Sequence, residues 1–454
     1  MALSGVQIFK LLPKTNCKKC GHPTCLAFAM KLAQRQASVD ACPDMSDESR
    51  RMLGAAAEPP IKTVTFGAGP HVCTMGEETV LYRHEKKFVR PTVIAVRIAD
   101  NQPDTDIHTA LADVLDSEID RIGQKLRIDA ILLDYVSGNP ARYQQVLETV
   151  IAHAPDVPKI LSVQDADVAE TALRSAGAKK PLLHGVTIGN FEAMAQVALK
   201  HSVPAGVIAQ GLDAVAQLTG KVKELGVSEL VIDSGARTAG AVLRDNTLAR
   251  RAAIKKNFKA LGYPVITFAG RDDAMLETLV AMTGIAKYSS IVVLSSAEQW
   301  RDLALFTYRQ NIYTDPQVPM QVEQKIYTVG EPTPESPVIV TTNFSLTYFI
   351  VAGEIENCRV PAWLAVMDCE GMSVLTAWAA GKFTPAKIAQ FIQESGLPEQ
   401  LTKKELIIPG YLAILSGALE EKLPGWTITV GPREANALPA FLKNRTQQEM
   451  QSKP

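Results

Sequence analysis

The sequence predicts an α/β protein in three parts: a small cysteine-bearing module, a central TIM (β/α)8 barrel, and a C-terminal Rossmann-like module. Three observations predict it. Four of the seven cysteines fall within the first 42 residues. Eight short apolar runs then alternate with amphipathic stretches, over a span of about 250 residues typical of a barrel. After a proline-punctuated connector, a shorter series of strand–turn–helix units follows.

Composition narrows the class. A length of 454 residues fits about three domains. Hydrophobic residues make up 46% and charged residues 21%, which suits a packed protein and excludes a disordered one. Lys+Arg is 47 against Asp+Glu 48, so no whole-chain basic field for nucleic acid exists. No apolar run approaches the roughly 18 residues of a membrane span. The stretch 1–14 carries a Gly, a Gln and a Lys where a signal peptide needs unbroken apolar sequence, so the expected location is cytoplasmic. An odd cysteine count in that setting argues against a disulfide scaffold.

The first module, 1–57, ends in Gly54-Ala55-Ala56-Ala57-Glu58-Pro59-Pro60, read as a spacer because Pro-Pro cannot continue a helix. Cys17, Cys20, Cys25 and Cys42 read Cys-x2-Cys-x4-Cys-x16-Cys, with Pro43 after the last. Two thiolates two residues apart reach one centre from a tight turn; the third extends the loop and the fourth closes it. Four soft ligands in this layout suit a [4Fe–4S] cluster. Zinc prefers two matched Cys-x2-Cys knuckles, and the second is missing. Structural zinc and buried unligated thiols are the competing readings. Lys18 and Lys19 place positive charge beside the site, Gly21 and Pro23 supply the turn, and His22 reads as a solvated neighbour rather than a ligand. Cys73 and Cys358 read as structural. Cys369, at a strand end, reads as a small buried residue more readily than a nucleophile.

In the barrel, 61–315, the strand runs are 92–98, 130–135, 159–163, 182–188, 205–209, 229–232, 264–268 and 290–294. Helical patterns lie at 109–123, 141–153, 165–176, 191–201, 211–226, 237–261 and 274–283. A barrel active site lies at the strand C-termini. The polar residues expected there are Asp134, Gln164, Gln210, Asp233-Ser234 and Arg271-Asp272, with Asp134 and Asp233 as candidate general bases. Their spacing demonstrates no chemistry, and His184 and His201 read as core or surface residues.

The connector 313–337 carries five prolines. In the last module, 325–454, strands are expected at 338–342, 363–367, 405–408 and 427–430, each leading through a turn into a helix, with a polar, frayed tail after 444. The strand-end loops are built like ligand loops: Thr341-Thr342-Asn343-Phe344-Ser345 with Thr347, Asp368-Cys369-Glu370-Gly371-Met372-Ser373-Val374-Leu375, Pro409-Gly410, and Gly431-Pro432-Arg433-Glu434-Ala435. Each alone could be ordinary helix punctuation; several at one sheet edge point to a ligand. No Gly-x-Gly-x-x-Gly or Walker motif occurs, so an amide-rich cofactor fits better than a nucleotide. All seven histidines lie at or before residue 201, so this module has no imidazole to offer a metal.

The run Asn16-Cys17-Lys18-Lys19-Cys20-Gly21-His22-Pro23-Thr24-Cys25 with Cys42-Pro43, the run 341–347, and the Glu370-Gly371-Met372-Ser373-Val374 loop together resemble the large (gamma) subunit family of the corrinoid/iron–sulfur protein of the reductive acetyl-CoA pathway. The resemblance covers essentially the whole chain, in the same domain order. It implies a methyl carrier that takes a methyl group from methyltetrahydrofolate, through a separate methyltransferase, onto Co(I) and passes it to acetyl-CoA synthase. A [4Fe–4S] cluster on Cys17, Cys20, Cys25 and Cys42 would return the electron lost when Co(I) oxidises to Co(II). It further implies a base-off cobalamin-type corrinoid without a protein His ligand. The implied contacts are Thr341, Asn343, Ser345, Thr347, Gly371 to Leu375, Gly410 and Gly431 to Glu434. A smaller subunit in a heterodimer is the implied partner, beside the methyltransferase and the synthase. The alternatives are an iron–sulfur electron-transfer subunit without corrinoid, and a methyltransferase binding a pterin in its barrel.

Overall fold

The computed structural model describes residues 5–33, 36–57, 59–121 and 124–452. The chain divides into two compact units, 1–119 with 126–313, and 120–125 with 314–454.

The first unit begins with helices Gly5–Leu11, Cys25–Ala33 and Asp47–Ala57. Ile8, Leu12, Phe28, Ala29, Leu32 and Leu53 form a small core that encloses Cys25 and Cys42. Residues 54–57, expected as a spacer, belong to the third helix. Alanine is the best helix former, and the helix stops where the Pro-Pro pair removes the next donors. Glu58 lies outside the described residues.

The barrel is closed and its neighbouring strands run parallel: Val93–Ala99, Ala130–Asp134, Lys159–Ser162, Leu182–Val186, Ala205–Ile208, Leu230–Asp233, Val265–Phe268 and Ser289–Leu294. The last strand pairs with the first, Ile291 opposite Val93. All eight lie where the apolar runs predicted them. Asn139, Asp165, Thr238 and Asp273, just beyond strand ends, cap the following helices by accepting backbone N–H bonds. The lower interior is apolar: Val93, Ala95, Leu132, Leu182, Val231 and Ile266 pack on Val64, Phe66 and Met75 of a two-stranded hairpin, Val64–Phe66 and Cys73–Met75.

Three elements depart from expectation. The first barrel helix is Asp104–Leu115, and the end of the expected 109–123 helix holds the short strand Ile119–Arg121, followed by a second, Gln124–Leu126; Ile122 and Gly123 lie outside the described residues. Pro103 stands at the N-cap of that helix, a start signal that fixes the earlier onset. A final barrel helix, Gln299–Tyr313, fills the stretch before the connector; it buries Arg301, Asp302 and Arg309 beside Leu305 and Phe306.

The second unit holds a five-stranded sheet in the order Lys325–Val329, Ala362–Met367, Val338–Thr342, Glu405–Ile408, Thr427–Val430. The first strand is antiparallel to its neighbour, and the other four are parallel. That antiparallel strand falls inside the stretch read as connector. One face packs on Phe383, Ile388 and Leu419, the other on Ile355, Cys358 and Leu442, so the parallel strands are apolar on both sides. The C-terminal helix Leu438–Ser452 continues through the stretch expected to fray.

Candidate functional site

The cysteine loop is shaped by its backbone. Lys14, Asn16 and Lys18 take left-handed φ values of 60°, 49° and 62°, and Gly21 takes 81°. Left-handed residues alternating with ordinary ones turn successive N–H groups toward one concave side, an arrangement that cradles anionic groups including iron–sulfur clusters. Asn16 locks the loop to the helix: its Oδ1 accepts the Cys25 N–H at 2.7 Å, and its own N–H points to Cys25 Sγ at 3.4 Å. Cys25 is the first residue of its helix. The Thr24 hydroxyl accepts the Ala27 N–H at 3.0 Å.

Cys42 follows a 3-10 turn, and its carbonyl accepts an Arg50 N–H at 3.1 Å. Burial pushes its thiol up, and Cys20, Cys17 and Cys25 push it further, which shows the four thiols share one neighbourhood. Four cysteine sulfurs in one neighbourhood form a set of soft metal donors. Among the described residues no three His, Cys, Asp or Glu side chains are set to hold a single metal ion. A four-iron cluster instead takes one thiolate at each of four corners. Lys19 is paired with Asp44 at 3.0 Å, and His22 packs its ring on Phe28 with centroids 5.5 Å apart. The donor set therefore fits an iron–sulfur cluster, which also cross-links a core too small to stand alone.

The second feature is a cleft in the C-terminal unit. In sequence order its parallel strands lie 2-1-3-4, so the chain reverses direction between Val338–Thr342 and Glu405–Ile408. Open α/β sheets bind ligands at this reversal, beyond the strand carboxyl ends. A cleft of about 640 Å³ lies there, lined by Thr341 from one strand and Ile407 and Ile408 from the other. Thr347, Val374, Leu375, Gly431, Pro432 and Arg433 complete the set of expected contacts that line it. Pro409 and Ala435, at the ends of expected strand-end loops, also line it, and so do Val351, Tyr411 and Leu438, which were not anticipated. Their signal was present in part: Tyr411 follows the expected Gly410, whereas Val351 and Leu438 are helix residues indistinguishable from core.

Other expected contacts build the walls. Asn343 Oδ1 accepts the N–H groups of Cys369 at 2.9 Å and Gly371 at 3.1 Å, while its Nδ2 donates to Asp368 at 3.0 Å and Gln321 at 3.2 Å. Gly371 has φ 69°, and a Cβ there would meet Gln321 Cγ at 2.8 Å. Met372 packs against the core, and the Ser373 and Thr376 hydroxyls are 2.9 Å apart. Gly410 lets two loops touch: a Cβ there would lie 2.6 Å from the Gly431 carbonyl and 2.7 Å from the Arg433 nitrogen. Glu434 accepts the Tyr411 hydroxyl at 2.8 Å, and Arg433 stands over the Tyr411 ring at 5.9 Å. Ser345 Oγ and Thr342 Oγ1 are buried without a partner. Leu346, Leu375, Tyr411 and Ile414 expose much of their surface near these loops. Mostly apolar walls with the hydroxyl-bearing Thr341, Thr347 and Tyr411 near the strand ends fit a large, amide-bearing cofactor.

The remaining cysteines are structural. Cys73 is buried in the barrel plug, and burial pushes its thiol up. Cys358 donates to the Ile355 carbonyl at 3.1 Å. Burial pushes Cys369 up to about 11, which keeps it a protonated thiol. At the barrel mouth Asp134 accepts Arg97 Nε at 2.7 Å, and both Asp233 oxygens accept Arg237, at 2.8 and 2.7 Å. Burial alone would raise Asp233, but His184 and Arg237 hold it at about 2, so it is a poor general base. His201 pairs with Glu170 at 3.0 Å, away from the strand ends, on a helix.

The chain is similar to known proteins along nearly its whole length. The family model described as CO dehydrogenase/acetyl-CoA synthase delta subunit matches residues 63–442, and an Fe-S cluster model matches residues 12–43. The corrinoid/iron-sulfur protein large subunit of Moorella thermoacetica is 43% identical over 98% of this chain and 99% of its own. The acetyl-CoA decarbonylase/synthase complex subunit gamma of Methanothermobacter thermautotrophicus is 33% identical over 97% of this chain and 99% of its own. The gamma subunit of Archaeoglobus fulgidus is 30% identical over 97% of this chain. With four clustered thiols at one end, a cleft at the other, and full-length likeness at this level, the chain belongs to the family of corrinoid/iron–sulfur protein large subunits and acetyl-CoA decarbonylase/synthase gamma subunits.

Proposed function

We propose that this chain is a corrinoid-dependent methyl carrier, a methyltransferase component working with partner enzymes rather than a stand-alone catalyst. The observation that carries the reading is the cleft at the sheet reversal, in a chain that also gathers four thiols in an anion-cradling loop. When bound, the corrinoid supplies a cobalt centre that takes up and releases a methyl group, and the cluster supplies a low-potential electron.

The residues' own tasks follow from their chemistry. Cys17, Cys20, Cys25 and Cys42 would hold the cluster, with the N–H groups of 14–21 offsetting its negative charge. Thr341, Thr347, Val374 and Leu375, with Gly431 to Arg433, would bind the corrinoid face and amides. Asn343, Ser345, Gly371 to Ser373, Gly410 and Glu434 would set the loops that receive it. Among the cleft-lining side chains none is an imidazole or thiol, which supports a base-off corrinoid without a protein axial ligand. Apolar walls exclude water from the reacting centre.

The names of its relatives, a large subunit and a subunit of an acetyl-CoA decarbonylase/synthase complex, support a smaller partner subunit and acetyl-CoA synthase; the heterodimer and a methyltetrahydrofolate methyltransferase are part of the proposed reading. Segments 1–57, 61–315 and 325–454 would act as separate modules, so that one cofactor can face several partners in turn. Among the described residues no helix is long and apolar enough to cross a membrane; a cytoplasmic setting is part of this reading. The test is methyl loading: the reduced chain, given methyltetrahydrofolate and the methyltransferase, should take up one labelled methyl group per cobalt. No transfer to a cobalt-loaded chain would overturn the reading.

A further inference from the structure

The barrel interior changes character along its axis. Below, it is apolar down to the hairpin plug. At the strand carboxyl ends, Arg97, Asp134, His184 and Asp233 come together from four strands. His184 reaches across to Phe268, with ring centroids 5.2 Å apart, on a strand that is not its neighbour. The arginines of the two pairs in this layer, Arg97 with Asp134 and Arg237 with Asp233, are 39% and 34% exposed, so their guanidiniums reach out of the packed core toward the mouth. Charged side chains in this layer therefore point to use rather than packing.

A mouth cavity of about 750 Å³ opens above this layer, walled by Arg97, Arg237, Arg271, Phe268, Val293 and Leu294. Two of its arginines keep donors in reserve, while Arg237 is engaged by both Asp233 oxygens and the Ala236 carbonyl. Arg97 spends Nε on Asp134, and its two terminal nitrogens have no other partner among the described residues. Arg271 makes one bond, from Nη1 to the Gly270 carbonyl. Beneath them His184 is 3% exposed, and neither ring nitrogen has a hydrogen-bond partner. Its Nε2 lies 3.7 Å from Asp233, too long for a hydrogen bond. Gly206 gives the ring its room, since a Cβ there would sit 2.7 Å from His184 Cδ2. His184 is engaged with Asp233 as an ion-pair partner in the layer below, and the unspent guanidinium donors of Arg97 and Arg271 line one opening.

We propose that this mouth binds a small organic anion through a carboxylate or phosphate group, held by Arg97, Arg237 and Arg271 with the apolar part against Val293 and Leu294. Planar guanidinium forks match both groups. The three arginines are balanced by Asp134, Asp233 and Asp272, so recognition rests on directed N–H donors rather than on net charge. Exposed Asp272 lines the cavity and opposes the anion. This site is independent of the methyl-carrier reading.

Calorimetric titration of the intact, cofactor-loaded chain with inorganic phosphate and, separately, with benzoate tests it. At least one probe should bind saturably. Arg271→Ala should weaken that binding tenfold or more, and Asp272→Asn should tighten it several-fold, with iron and cobalt content unchanged. Arg97→Gln, which keeps a donor beside Asp134, carries the same expectation if Arg271→Ala proves unstable. Phosphate binding alone would assign a phosphate ligand, and benzoate binding alone a carboxylate. Failure of both probes to bind, or wild-type affinity in the arginine variant, would overturn the proposal.

Discussion

Asn343 Oδ1 holds Gly371 by its backbone N–H at 3.1 Å, tying the end of one central strand to the loop that follows its neighbour. The same oxygen holds Cys369, so one amide fixes both strand-end loops beside the cleft. Asn343→Ala leaves two buried N–H groups without an acceptor, at a cost of about 2–3 kcal/mol. Denaturant unfolding should show that loss, together with weaker corrinoid retention. Asn343→Asp keeps the acceptor but sets a buried carboxylate against that of Asp368, where the amide now donates at 3.0 Å, so it should recover neither.

Gly410 is the point of contact between two cleft loops, and backbone atoms of 431–433 stand where a Cβ would be. Backbone cannot yield as a side-chain tip can, so Gly410→Ala should cost about 1–3 kcal/mol and spread the cleft. Cobalt content after reconstitution should fall while iron content stays at the wild-type level.

The converse dissociation is expected at the other end of the chain. Replacing Cys25 or Cys42 by Ser removes a buried thiol, and Cys17→Ser an exposed one. Each should lose the four-iron signature in electron paramagnetic resonance while corrinoid binding remains. A buried-thiol variant should also lower the unfolding temperature of the first module, whose core surrounds those two cysteines.

Asp302 provides a pH test. Burial raises its carboxyl to about 6, and one oxygen has no hydrogen-bond partner. Its folded pKa stands above the ordinary value, so the native state binds the proton more tightly than the unfolded chain does. Its contribution is thus full at pH values below about 4, and stability falls as pH rises toward about 6. Above that the ionised group costs about 1–2 kcal/mol after allowance for solvent screening. Asp302→Asn should raise the unfolding temperature at pH 7.5 and flatten its decline between pH 5 and 7, measured by calorimetry.

Much of this architecture was legible because burial writes itself into sequence. The eight barrel strands are apolar on both faces, so each appears as a continuous run. The edge strand Lys325–Val329 was not legible, since its residues are mostly exposed or half-buried and sit among prolines. The helix Gln299–Tyr313 hid for the opposite reason: it turns Arg301, Asp302 and Arg309 inward, which erases the apolar stripe. At the sites, the cysteine spacing was readable because ligand chemistry fixes it. The cleft was readable only as strand-end loops. Val351 and Leu438 join it through packing of distant helices, and the clamp made by Asn343 is a tertiary fact that no local pattern announces.

The central claim is that one chain carries both cofactors. Anaerobic metal analysis of the purified or reconstituted protein, with its visible spectrum, tests it most directly. The account predicts about four irons and one cobalt per chain, with corrinoid bands that Gly410→Ala removes and the cysteine variants keep. Iron without cobalt after anaerobic reconstitution with cobalamin would contradict it and leave an electron-transfer protein in its place.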